Sequence, residues 1–259
     1  EWLSLAVGKF EYDGTRISLV DTPGYPDFIA DVIEGFAAAD GALFVMDASA
    51  GVDAGLEQAV ALGRSTGTAA CFFLNKCDRE NADPNAALDA LREAFGNKIA
   101  PLHLAIGAAD KFTGFVDLVH RKAYRFEGGR EVEIPVPSEL EGEITRRRDQ
   151  LLEAAAEADD DVLTKYLEGE DISDAELDAC LHKGVRESIL APVLVASAAK
   201  GIGLDALLDA VTRYLPSPDE EGPYDATDKA GATVSVPADP HGPLLVRVVK
   251  TTADPFVGR

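Results

Sequence analysis

Apolar positions along this chain gather into short continuous runs, and the stretches between several of them carry apolar residues at helical spacing. Two β-like runs, LSLAVGKFEY and TRISLVD, flank Asp13-Gly14. An Asp-Gly pair between such runs predicts a tight hairpin, because both residues tolerate positive φ. After a Pro-Gly turn, PDFIADVIEGFAAAD sets Phe28, Val32, Ile33 and Phe36 at helical spacing. GALFVMDAS, a helix-like stretch through about Gly63, and AACFFLNKCD follow. Each buried-strand run is closed by polar residues, as in parallel strands covered on both faces. The alternation predicts an α/β fold with a doubly wound, mostly parallel sheet.

From about Lys98 the rhythm changes. KIAPLHLAIG and AYRFEGGREVEIPV read as strands around a Gly-Gly turn, ahead of two helices whose starts carry the capping-box spacing, Ser138 with Glu141 and Ser173 with Glu176. At Pro192 the buried-strand pattern returns as PVLVASA, followed by the helix GLDALLDAVTRYL. Residues 98–191 therefore read as an α+β subdomain inserted between two parts of one sheet, 1–97 and 192–217. Residues 218–243, rich in Pro, Gly, Asp and Ala, read as a linker, and 244–259 as the start of a further β element.

Composition narrows the partners. With 46% hydrophobic and 27% charged residues the chain is of ordinary globular make-up, and its formal charge of -22 repels a phosphate backbone wherever it is evenly spread. That argues against a DNA clamp but leaves local RNA contacts open, since charges are screened beyond roughly 8 to 10 Å. Cys71, Cys77 and Cys180 have no CxxC spacing and read as reduced thiols of a cytosolic protein. No run reaches the ~18 apolar residues of a membrane span, so no membrane partner is expected. The chain opens without methionine inside a strand-like pattern, which reads as a piece of something longer. His103, His120, His182 and His241 show no metal-ligand spacing. The basic run Arg146 to Arg148 reads as a helix face beside acidic neighbours, with an RNA or protein contact as the alternative.

Three short motifs follow predicted buried strands. In DTPG, Asp21 to Gly24, the carboxylate at a strand end suits Mg²⁺ held through water, and the Gly24 N–H suits close approach to a γ-phosphate; the same four residues are also simply a good turn sequence. In NKCD, Asn75 to Asp78, a carboxylate can accept both the ring N–H and the exocyclic amine of guanine, which adenine cannot match. Asp78 is then a specificity residue, the Lys76 stem lies along the base, and Asn75 ties the loop to its neighbours. In SAAK, Ser197 to Lys200, the Ala198 N–H suits the guanine carbonyl and Ser197 braces the Asp78 loop. Each motif alone is compatible with a plain polar loop; order and context together carry the signal.

With these motifs the chain resembles a translational GTPase, most closely elongation factor G and elongation-factor-G-like proteins. DTPGYPDF, NKCDRENAD, ASAAKGIGLDALLDAVTRYLPSP and DPFVGR are similar, in that order, to the family's phosphate-sensing turn, two guanine loops and second-domain start. The resemblance implies a P-loop GTPase-like G domain, incomplete at its N-terminus, with an inserted subdomain and the beginning of a β-barrel domain. It implies GTP or GDP with Mg²⁺ as ligands, held by Asp21, Thr22, Pro23, Gly24, Asn75, Lys76, Asp78, Ser197 and Ala198, with Asp21 on the metal. It implies the ribosome, its RNA and proteins, as partner, and the cytoplasm as location.

Two departures stand out. No GxxxxGK[ST] loop occurs in the 259 residues, so they are expected to bind GTP poorly by themselves. Tyr25 occupies the position where the translocase has a histidine that orients the attacking water. Its hydroxyl, with a reference pKa of about 10, can position water but accepts a proton poorly. Tyr25 and Gly24 are thus the implied catalytic positions. Because phosphoryl transfer depends mostly on positioning and electrostatics, the intact protein is expected to hydrolyse GTP. A GTP-dependent binding module with weak or no hydrolysis is the alternative, and an α/β scaffold that binds no nucleotide is a further one.

Overall fold

The computed structural model describes residues 4–251, so Trp2 and the DPFVGR segment lie outside the described residues. Two compact units emerge, one built from residues up to Gly41 together with those from Pro216 onward, the other from Ala42–Leu215.

In the first unit, β1 (Ala6–Tyr12) and β2 (Thr15–Asp21) pair antiparallel, with Tyr12 opposite Thr15. Asp13 at φ 44° and Gly14 at φ 73° make the turn the Asp-Gly pair predicts. A 3-10 turn, Pro26–Phe28, leads into helix α1 (Ile29–Ala38). The Asp31 carboxylate on α1 accepts from the Leu5 N–H at 2.9 Å and pairs with Lys250.

The second unit is organised on a parallel sheet. Strand β3 (Gly41–Asp47) is followed by α2 (Ala54–Thr66), β4 (Ala69–Asn75), α3 (Pro84–Phe95) and β5 (Ile99–Pro101). After a long excursion the chain returns as β10 (Ala191–Val195) and α7 (Leu204–Tyr214). The order is β3-β4-β10-β5, and β10 runs parallel to both β4 and β5. Cys71 to Leu74 and Val193 to Val195 are all buried. Because successive strand residues face opposite sides, both faces of these two strands are covered.

The excursion holds a four-stranded antiparallel meander, β6 (His103–Ile106), β7 (Gly114–Asp117), β8 (Lys122–Glu127) and β9 (Arg130–Ile134), then α4 (Glu141–Ala156), α5 (Asp160–Glu168) and α6 (Asp174–Arg186). The run KIAPLHLAIG, read as one strand, is two: β5 on the edge of the parallel sheet and β6 in the meander, separated by Leu102. Pro101 lacks an N–H, which an edge strand tolerates and an interior ladder does not. Within 218–243 the chain forms a short hairpin, β11 (Tyr224–Thr227) with β12 (Thr233–Val236), whereas 244–250 carry no strand pairing.

The two capping-box spacings part ways. Ser173 caps α6, its hydroxyl accepting from the Glu176 N–H while the Glu176 carboxylate accepts from the Ser173 N–H at 3.0 Å. Ser138 instead opens a 3-10 turn, and α4 begins after Leu140 with no side-chain cap. Ser173→Ala is therefore expected to cost about 1 kcal/mol in urea unfolding. Ser138→Ala should leave the midpoint unchanged, and equal losses for both would contradict this assignment.

The basic run is not one helix face. Consecutive helical residues lie about 100° apart, so three fan across most of the circumference. Arg147 points inward and is fully buried on Asp89 and Glu143, Arg148 reaches the Leu118 and Val119 carbonyls, and Arg146 pairs with Glu143.

Candidate functional site: two loops at the ends of adjacent strands

β4 and β10 are neighbours, so the loops that follow them emerge side by side at the C-terminal edge of the parallel sheet. Asn75, the last residue of β4, joins the two. Its Oδ1 accepts from its own loop, the Lys76 N–H at 2.8 Å, and from the Ala198 N–H of the other at 2.9 Å. The Ala198 amide is thus engaged with Asn75 here, and a base carbonyl would share it. The Cys77 N–H donates to the Ala196 carbonyl at 3.0 Å, a second tie between the loops. Lys76 takes φ 62°, a left-handed conformation that turns the chain sharply at the strand end.

Asp78 has a side chain only 17% exposed. A hydrogen bond from the buried Ser197 side chain holds its carboxyl below the usual range, with Lys200 3.7 Å away adding to this. A carboxylate so placed stays ionised and keeps acceptor capacity for a ligand. The Ser197 loop is closed by reciprocal backbone bonds with Ile202, both 3.1 Å.

A further acid belongs to this edge and was not picked out by motif. Asp47 at the end of β3 accepts from the Lys76 ammonium at 2.9 Å and from the Ser49 hydroxyl at 2.6 Å. Burial alone would raise its pKa, but the Ser49 and Lys76 hydrogen bonds outweigh it and bring it to about 2. This pins the Lys76 head and stretches its stem across the loop. The signal was available, since GALFVMD is an apolar run closed by an acid, and AACFFLNKCD is built the same way. With a depressed pKa, the stabilisation from Asp47 is present above its ordinary value of 3.8 and is lost as pH falls through about 2. Asp47→Asn should flatten that part of an acid-unfolding curve; an unchanged curve would contradict the pairing.

The DTPG turn lies in the other unit. Asp21 ends β2 with an exposed side chain, Thr22 packs its Cγ2 against Gly35 of α1, and Pro23 is buried. The Phe28 N–H closes the turn on the Tyr25 carbonyl at 3.0 Å, and the Tyr25 side chain is 53% exposed. A Cβ on Gly24 would meet no protein atom within 4 Å, so protein packing does not demand glycine there. Among the described residues no group of three or more His, Cys, Asp or Glu could hold a metal. An ion at Asp21 would need oxygens from a bound phosphate and water, which is how Mg²⁺ is ordinarily held.

The three cysteines are unpaired and buried, and burial pushes the Cys71 and Cys77 thiols up to about 12. His103 stacks on Phe115 at 4.1 Å, and His120 lies between Asp117 and Asp178. No helix among the described residues is long and apolar enough to cross a membrane.

Known proteins resemble this chain in sequence and fold. The model of the elongation factor Tu GTP binding domain matches residues 3–217. The elongation factor G-like protein of Thermotoga maritima is 36% identical over 253 residues, and elongation factor G of Mycoplasma pneumoniae is 34% identical over 260. These matches take in 98% and 99% of this chain but only 36% and 38% of the relatives' lengths. A crystal structure of a Thermus thermophilus protein superposes with a TM-score of 0.76 at 37% identity, covering 85% of this chain and 34% of that one. The chain belongs to the elongation factor Tu GTP-binding domain family, and is a translational GTPase domain resembling that of elongation factor G.

Proposed function

We propose that the paired loops after β4 and β10 read a guanine base, and that the longer protein to which these residues correspond hydrolyses GTP in a ribosome-linked step in the cytoplasm. The observation that carries this reading is Asn75 Oδ1 bridging the Lys76 and Ala198 amides, which holds an ionised Asp78 at the mouth of both loops. Asp78 would accept the ring N–H and exocyclic amine, Lys76 would cover the base with its stem, Ser197 would brace Asp78, and Ala198 would meet the base carbonyl. The parallel sheet would be the core of a doubly wound G domain, with 98–191 as its inserted subdomain, 218–243 as a linker and 244–259 as the start of a β-barrel domain.

In the DTPG turn, Asp21 and Thr22 would serve Mg²⁺ and its water, and Pro23 would fix the turn. Gly24 would present its N–H to the γ-phosphate from a side that no Cβ blocks. The ion would neutralise phosphate charge. Tyr25 would orient the attacking water by hydrogen bonding. A tyrosine there also favours a second reading, a GTP-dependent binding module with little hydrolysis. Ribosome-stimulated phosphate release from the longer protein separates the two.

Base reading can be tested on these residues directly. Millimolar GDP should shift the backbone resonances of 75–78 and 197–200, and ADP should not. Equal shifts with both nucleotides would overturn guanine recognition. Because no GxxxxGK[ST] lies in the 259 residues, the affinity should stay far weaker than nanomolar.

A further inference from the structure

Gly203 begins α7 with φ 78°, and a Cβ on it would lie 2.7 Å from the Val195 carbonyl oxygen. The position is therefore closed to the Ser, Thr, Asp or Asn side chains that ordinarily cap a helix. The cap comes from the meander instead. The Glu131 carboxylate on β9 accepts from the Gly203 N–H at 3.1 Å and from the Ala206 N–H. Beside it the Phe126 ring of β8 lies against Gly201, 2.9 Å from where a Cβ would sit. The β8–β9 hairpin thus grips the loop that carries Ser197 and Ala198. The other loop is also held from this segment, by the Ala109 N–H donating to the Cys77 carbonyl at 2.9 Å.

We infer that Glu131 is a positioning residue for base recognition: by capping α7 from outside, it sets where Ser197 and Ala198 stand relative to Asn75 and Asp78. This rests on the base-reading assignment above. The Ala109 tie is backbone to backbone and insensitive to side-chain identity, so Glu131 is the adjustable one. Charged and titratable groups around it are Asp205, Asp209 and Arg213 on α7, Lys122 and Tyr124 on β8, and His103, Asp117 and His120 from β6, β7 and the turn after it, lining or adjoining one cavity of about 350 Å³. Burial, then Asp205, pushes the Glu131 carboxyl up to about 7. The fold therefore favours the protonated form, and stability declines as pH rises from the ordinary value of 4.5 through about 7, even though the ionised oxygens bind the two amides more strongly.

The test uses the full 259-residue chain with Glu131→Gln and Glu131→Ala. Without nucleotide, amide exchange at Gly203 and Ala206 should speed up about tenfold or more in E131A and much less in E131Q, which keeps an acceptor oxygen. In the wild type those two amide resonances should titrate with a midpoint near 7, and in E131Q they should not. With nucleotide, E131A should lose guanine preference while ADP binding stays unchanged. Wild-type exchange rates in E131A, or a titration that persists in E131Q, overturns the inference. If E131A loosens the loop yet the wild type never prefers GDP over ADP, the base-reading assignment fails, and the specificity role of Glu131 with it.

Discussion

Asp78→Asn should abolish the preference for guanine and create one for xanthine. The carboxylate presents two acceptors, matching the two donors on guanine's ring nitrogen and exocyclic amine. Asparagine presents one acceptor and one donor, so its amide N–H would face the exocyclic amine, donor against donor. Xanthine has a carbonyl in place of that amine and accepts the bond. Hydrogen bonds to a charged group contribute about 1.5 to 3 kcal/mol each, so losing the one to the exocyclic amine weakens guanine nucleotides by roughly 10- to 100-fold, and the donor–donor clash adds to this. The local fold should survive, because asparagine is nearly the same size and its oxygen still accepts from Ser197, which braces Asp78 here. Competition between GDP and XDP for the same chain provides the measurement. An unchanged ratio would mean that Asp78 does not touch the base.

Arg147→Ala should be among the most destabilising single changes on α4. The guanidinium is fully buried and forms a two-bond pair with Asp89 of α3, at 2.6 and 3.1 Å, with further bonds to Glu143 at 2.8 Å and to the Asn85 carbonyl at 3.2 Å. Truncation removes these bonds and leaves a void between the helices. Breaking a buried pair costs about 3 to 5 kcal/mol when the partner is left stranded. Here Asp89 is 51% exposed and can be rehydrated, which brings the expectation down to about 2 to 4 kcal/mol. Arg147→Met, which refills much of the volume, should recover part of the loss. Urea unfolding of both variants checks this, and a midpoint within error of wild type for Arg147→Ala would show that the network contributes nothing net.

The same arginine shows where sequence reading runs out. Three consecutive basic residues suggested one helix face beside acidic neighbours, yet helix geometry alone points at least one of them elsewhere. Which one turns inward depends on the position of α3, and no local pattern in RRR encodes that. KIAPLHLAIG behaves likewise. Its apolar content marks extended chain, but the change of sheet at Leu102 follows from which neighbours each half meets. Asp47 was legible, since an acid closing an apolar run is the same signature that marks Asp78. Glu131 left no such mark, because a carboxylate in a polar hairpin looks like any surface acid until α7 is placed beside it.

What the sequence determined by itself was local chemistry: strands where apolar residues run unbroken, the Asp-Gly hairpin turn, the Ser173 cap, and the loop residues suited to a guanine base. These depend on side-chain size, backbone freedom and hydrogen-bonding capacity within a few residues. Tertiary structure alone decided that β4 and β10, more than a hundred residues apart, lie side by side, so that Asn75 can hold Ala198 and Ser197 can hold Asp78. That pairing comes from burying both faces of the sheet, a gain in apolar contact that no short stretch of chain can express.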